Sequence, residues 1–161
     1  MSTVTAEPTV TKVALAGIGY GKKPDMLETL LGSCVGVCIY DRSTGLGSLA
    51  HVVLSDSRGH QGTPGKFADT AIEEMRRQLV SRGANPLTMT AKIVGGATMF
   101  GKKSSRDVGA ANVKAVKAEL EKHNIRLIAE HVGGERGRII RFSLKDASVA
   151  VSTEGKLAAT I

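Results

Sequence analysis

Residues 28–58 read ETLLGSCVGVCIYDRSTGLGSLAHVVLSDSR and decide the fold, because two apolar, β-branched runs flank a polar turn. Val35–Asp41 (VGVCIYD) and Leu46–Leu54 (LGSLAHVVL) have strand composition, and Arg42-Ser43-Thr44-Gly45 has turn composition. Together they predict an antiparallel hairpin. Its register decides whether Cys34, at the mouth of the first strand, shares a sheet face with His51, seventeen residues on. A two-residue loop sets the two directly opposite one another, and a four-residue loop sets them on a diagonal of one face. An odd loop or a bulge turns one of them to the other side. A thiol becomes a nucleophile at neutral pH only with a base beside it, so Cys34 and His51 form the candidate catalytic pair.

Just upstream, Gly32 lets the backbone bend, and the N–H groups around Gly32, Ser33 and Cys34 are candidates for holding a substrate oxyanion. Thr29, Glu28 and Ser33 are within reach to orient the imidazole. Cys38, inside the strand, reads as core packing. His60, His123 and His131 are rival histidines in positions that more often are structural or exposed.

Further out, Val10–Ala16 alternates like a first strand, and residues 1–9 read as a loose tail before a single domain over 10–161. GIGYGKKPD, residues 17–25, reads as a loop, since its glycines precede Lys-Lys-Pro instead of a helix. SDSRGHQGTPG, residues 55–65, reads as a long loop at the open end of the hairpin. Phe67, Ala71, Ile72, Met75, Leu79 and Val80 mark the apolar face of a helix over Lys66–Arg82. A second helix, Ala110–Lys122, turns Val113, Val116, Ala118 and Leu120 inward. Thr88–Val94, Ile125–Val132, Ile139–Leu144 and Ser148–Ser152 read as strands. Strands outnumber helices and arrive partly in hairpins, which predicts a mixed α/β domain of the α+β kind over a regular βαβ sheet. Gly96 to Lys103 approaches a phosphate-binding loop, but Lys103 stands where the magnesium-binding hydroxyl belongs.

Lys plus Arg number 22 against 15 Asp plus Glu, a balance that favours an anionic partner. With two Tyr, three Phe and no Trp, few rings are available to stack bases, so an acidic protein surface is expected ahead of nucleic acid. No run reaches the apolar length of a membrane helix, no leader pattern opens the chain, and the cysteine spacing fits neither a metal site nor a disulfide. A soluble cytoplasmic monomer without metal or cofactor is the expectation.

The quoted segments LGSCVGVCIYD, GLGSLAHVVLSDSRG, PGKFADTAI, KIVGGATMF and VGAANVKAV resemble, in order and spacing, the chemoreceptor glutamine deamidase family, CheD, from about Val10 to Ser152. The resemblance implies hydrolysis of receptor glutamine side chains to glutamate in bacterial chemotaxis, through a cysteine nucleophile matching Cys34 and a base matching His51. It implies a layered sandwich of packed mixed β-sheets flanked by helices, similar to deamidating-toxin cysteine hydrolases. Glutamate methylesterase activity is an implied side reaction. Partners implied are the cytoplasmic domain of a chemoreceptor and a CheC-type phosphatase. The family's threonine commonly lies six residues before the cysteine. Here Glu28 holds that position, and Thr29 fits after a one-residue loop contraction. Many members carry an arginine before the asparagine of the second helix, where this chain has Ala111 and offers Arg106 as a substitute. A non-catalytic module that regulates a receptor or phosphatase is the alternative function.

Overall fold

A computed structural model of the chain describes residues 7–60, 62–99 and 107–161. Strands β1 (Val10–Lys12), β2 (Ile18–Lys22), β3 (Met26–Leu31), β4 (Val35–Asp41) and β5 (Leu46–Val52) come first, followed by helix α1 (Ala68–Ser81). Strand β6 (Met89–Gly95), helix α2 (Val108–Lys122) and strands β7 (Arg126–Val132), β8 (Arg138–Ser143), β9 (Val149–Thr153) and β10 (Lys156–Thr160) complete the order. They form two five-stranded sheets, β1-β3-β8-β9-β10 and β2-β5-β4-β6-β7. Each sheet is mixed: β1 runs parallel to β3 and β6 to β7, while the remaining neighbours are antiparallel.

Alternation along β4 and β5 explains the layering. Val35, Val37, Ile39, Ala50 and Val52 face one way, onto Ala71, Ile72, Met75 and Leu79 of α1 and Val116 and Leu120 of α2. Cys38 and Leu49 face the other way, onto Leu27 and Leu31 of β3, Ile140 and Phe142 of β8 and Val149 and Val151 of β9. The result is helices on sheet on sheet, the expected α+β sandwich, with the central hairpin buried on both sides. At Gly36 a Cβ would press on Leu31 and Ile140, so glycine there lets the sheets close.

Several sequence expectations change. Residues 17–25 contain a strand, β2, because Gly19 and Gly21 give room to the Val13 and Leu144 side chains from the other sheet. Residues 26–31 are also a strand, with Leu27, Thr29 and Leu31 inward and Glu28 and Leu30 outward. The first strand stops at Lys12 and a tenth strand follows β9. On the helices Val80 is exposed and so is Ala118, while Asn112 takes an inward place. The tail expected over residues 1–9 lies, for 1–6, outside the described residues.

The β4–β5 turn is built on the buried carboxylate of Asp41. It accepts from the Ser43 N–H (3.1 Å) and hydroxyl (2.9 Å), the Thr44 hydroxyl (2.7 Å), the Asn85 N–H (2.8 Å) and the Thr88 hydroxyl. Burial alone would raise its pKa, but these donors, Thr88 foremost, hold it down at about 2. A carboxyl held below its unfolded value stabilises the fold above that value, and the contribution is lost as pH falls toward the folded pKa. Urea titrations should therefore show about 2 kcal/mol of stability disappearing between pH ~4 and pH ~2 through this group. Asp41→Ala should remove that part of the pH dependence and cost about 3 kcal/mol at pH 7.

Candidate active site

The hairpin register pairs Gly36 with His51 and Tyr40 with Gly47, the register of the longer loop, with four residues between the ends of β4 and β5. Cys34, one step before β4, thus lies diagonal to His51 on the face toward the other sheet, and its half-buried side chain packs against the inter-sheet core. His51 is nearly fully buried, with its backbone tied on both sides: its N–H donates to the Gly17 carbonyl (3.0 Å) and its carbonyl accepts from the Ala16 N–H (3.1 Å).

Thr29 reaches His51 from β3, a strand of the opposite sheet. Its hydroxyl donates to the Val13 carbonyl at 2.7 Å and lies 2.8 Å from His51 Nδ1. A carbonyl only accepts, and a threonine has one hydroxyl proton, so that proton is committed to Val13. Nδ1–H of His51 must then donate to Thr29 Oγ1, which leaves Nε2 as the unprotonated, basic nitrogen. Glu28, the neighbour at the six-residue spacing, points to the outer face and pairs with Arg141 at 3.0 Å.

Electrostatics make both members of the pair neutral at rest. Burial pushes the Cys34 thiol up, opposed only by the pull of its own backbone N–H, and burial pushes the His51 imidazolium down. The pair is a thiol beside a neutral imidazole, a geometry for general-base activation at the moment of attack. Cys38 is fully buried and its thiol is driven far up by burial.

The loop bearing Cys34 is held from behind by the end of β6. The Gly96 N–H donates to the Cys34 carbonyl (2.9 Å) and the Ala97 N–H to the Gly32 carbonyl (3.1 Å). Gly95 sits at φ +112° with its α-carbon against the Cys34 carbonyl, where a side chain has no room. Arg138, 5% exposed, underpins this corner by donating to the carbonyls of Gly95 (2.9 Å), His131 (2.6 Å) and Gly133. From the other side Asn112 Nδ2 donates to the Ser33 carbonyl (3.3 Å) and the Val53 carbonyl (2.9 Å). Sequence reading noted Asn112 only as the asparagine after Ala111, without a role, and missed Arg138. Each carries a signal, since Asn112 is in phase with Val116 and Leu120 on the buried face of α2, and Arg138 with Ile140 and Phe142 on β8.

An open cavity of about 1100 Å³ lies between residues 55–60 and 62–63, the start of α1 and the start of α2, lined by Leu54, Arg58, Phe67, Val108 and Asn112 among others, with neither Cys34 nor His51 in its lining. His60 lines it too. His123 sits at the end of α2, 3.6 Å from Glu119, and His131 lies on β7, paired with Val94 of β6, its carbonyl accepting from Arg138. Asp107 caps α2, accepting from the Ala110 N–H (3.0 Å) and the Thr98 hydroxyl (2.9 Å), so a carboxylate already occupies the helix terminus that a phosphate would need. Residues 100–106, including Lys103 and Arg106, lie outside the described residues. Among the described residues no three His, Cys, Asp or Glu side chains gather as a metal site, and no helix is long and apolar enough to cross a membrane.

A helix-sheet-sheet α+β protein with a buried Thr–His contact next to a thiol at the mouth of its inter-sheet core is the class that fold and site define. The family model described as CheD chemotactic sensory transduction matches residues 53–153. A probable chemoreceptor glutamine deamidase CheD of Methanococcus maripaludis is 46% identical over 150 residues, covering 92% of this chain and 97% of its own. A chemoreceptor glutamine deamidase CheD of Thermotoga maritima is 42% identical over 135 residues, 83% of this chain and 85% of its own. Among solved structures, hypothetical protein YfiH of Bacillus licheniformis aligns with 79% of this chain and 60% of its own at 15% identity and TM-score 0.40. The chain belongs to the CheD family.

If Thr29 sets the imidazole, Thr29→Val should lower the turnover of the chain's reaction about 10- to 100-fold, and Thr29→Ser should restore most of it. If His51 is the base, the acid limb of the pH–rate profile should fall below pH ~6.5, because burial depresses its pKa and a base must be neutral to act.

Proposed function

We propose that this protein is a protein-glutamine deamidase acting on the cytoplasmic domain of a chemoreceptor, with Cys34 as nucleophile, His51 as base and Thr29 as the residue that orients it. The observation that carries the reading is the buried Val13–Thr29–His51 chain, which leaves Nε2 basic on the face that Cys34 shares. Membership of a family whose curated relatives are named chemoreceptor glutamine deamidases supplies the substrate.

The chemistry follows from the neutral resting pair. His51 Nε2 takes the Cys34 proton as Sγ attacks the glutamine amide carbon, and the carbonyl oxygen becomes an oxyanion facing the N–H groups of Ser33 and Cys34. The imidazolium returns the proton to the amide nitrogen, the C–N bond breaks, and ammonia leaves a thioester. Water attacks that thioester as Nε2 takes its proton, the C–S bond breaks, and the proton passes to the departing sulfur. Glutamate and the free thiol result. A glutamyl methyl ester enters by the same route with methanol as leaving group, so methylesterase activity belongs to the proposal.

On this reading the enzyme works in the cytoplasm, where the receptor domain lies, and the family resemblance extends the proposal to a monomer with a CheC-type phosphatase as a second partner. Incubation with a glutamine-bearing receptor cytoplasmic domain should give a mass gain of about 1 Da per converted site with matching ammonia, both absent with Cys34→Ala. Full product from Cys34→Ala would refute the cysteine mechanism.

A further inference from the structure

Asn112 is a fully buried polar residue on the inner face of α2, in line with Val116 and Leu120. Asparagine is a poor helix former and a costly residue to bury, so its position asks for a partner set. That set is nearly complete. Both Nδ2 hydrogens are used, one on the Ser33 carbonyl and one on the Val53 carbonyl, and Oδ1 accepts from the Ser55 hydroxyl at 3.1 Å. The orientation of the carboxamide is fixed by these neighbours, because the flipped form would aim Oδ1 at two carbonyls.

The two carbonyls belong to the places where β4 and β5 part company. The last paired couple is Val35 with Val52; beyond it the Val53 and Leu54 N–H groups both turn to the Lys66 carbonyl, 2.9 Å each. Ser33 and Val53 therefore lie on either side of an opening, and Asn112 spans it. The Ser33 carbonyl and the Cys34 N–H are the two ends of one planar trans peptide and point in opposite directions. Holding the carbonyl against α2 directs the N–H away from α2, to the side of the thiol. Neither the Ser33 nor the Cys34 N–H finds a backbone acceptor among the described residues. The next carbonyl, that of Cys34, is fixed by Gly96, so both peptides flanking the nucleophile's α-carbon are anchored.

We propose that Asn112 is a positioning residue for the deamidation reaction: by anchoring the Ser33 carbonyl and bridging to Val53, its carboxamide aims the Cys34 N–H at the oxygen that becomes negative in the transition state. The proposal rests on Cys34 being the nucleophile. An N–H held in place before the reaction stabilises the oxyanion without reorganisation, and a peptide left free to rotate does not.

Two rates separate this role from a structural one. Deamidation passes through an oxyanion, whereas alkylation of Cys34 by iodoacetamide displaces iodide and forms none, so alkylation reads the thiol and its base alone. The full-length protein carrying Asn112→Asp keeps the size and the Ser55 contact but loses the donors to Ser33 and Val53. Its kcat on a glutamine-bearing receptor cytoplasmic domain should fall about 100-fold with KM within about threefold of wild type. Alkylation of Cys34, read by peptide mass spectrometry, should stay within about twofold. Asn112→Ala, a better helix former, is measured in parallel and carries the same expectation should the aspartate variant fail to fold. An unchanged kcat, or alkylation falling in step with kcat, overturns the positioning role. Cys34→Ala assayed beside them separates the two readings: activity surviving there overturns the cysteine mechanism itself, while its loss with an unchanged Asn112 variant overturns only this inference.

Discussion

The hydroxyl of Thr29 is the polar contact on which the site depends, since it joins a strand of one sheet to a histidine of the other inside an apolar interface. A lone hydroxyl or imidazole buried there would be costly, and each satisfies the other. The direction of the bond follows from a third group, the Val13 carbonyl, which takes the only proton Thr29 has. Two sheets and three backbone segments thus converge to decide which nitrogen of one ring is basic. Packing and proton placement are the same problem at this point.

Burial then sets the resting state. The inter-sheet core that half-buries Cys34 and encloses His51 disfavours thiolate and imidazolium alike, and in the proposed mechanism charge separates only as the sulfur attacks a substrate carbonyl. The backbone around Cys34 is correspondingly stiff. Gly96 holds its carbonyl, Asn112 holds the preceding one, and Arg138 braces the corner at Gly95. These contacts use carbonyls and leave the Ser33 and Cys34 N–H groups without a backbone acceptor among the described residues.

Much of this was legible in the sequence where a pattern is local. The hairpin over residues 35–54 showed in its β-branched runs and turn residues, and an even loop sufficed to put Cys34 and His51 on one face. Both helices showed in their apolar spacing. Strands rich in glycine or short of β-branched residues did not show. β2 reads as a loop because Gly19 and Gly21 exist for the benefit of the facing sheet, and β3 reads as a prelude to the Gly-Ser-Cys turn because its partners, β1 and β8, are distant in the chain. Thr29 therefore came out of the sequence with Glu28 as a rival, although two-residue alternation in a strand separates them at once. Asn112 and Arg138 showed only as polar residues in phase with apolar ones, because most of their partners are backbone carbonyls, whose positions no residue identity reports.

The dependence of Thr29 on Val13 makes the active site a property of the finished chain. Cys34 and His51 sit on one hairpin, a local unit, but the group that fixes the ring's proton lies on β3, and the group that fixes that group follows β1, which docks parallel to β3. A chain in which the first strand is still loose holds the thiol and the imidazole yet lacks the instruction that makes Nε2 the base. With its proton free, Thr29 can donate to Nδ1 as readily as accept from it. In the proposed mechanism such a chain would lack a committed base for Cys34.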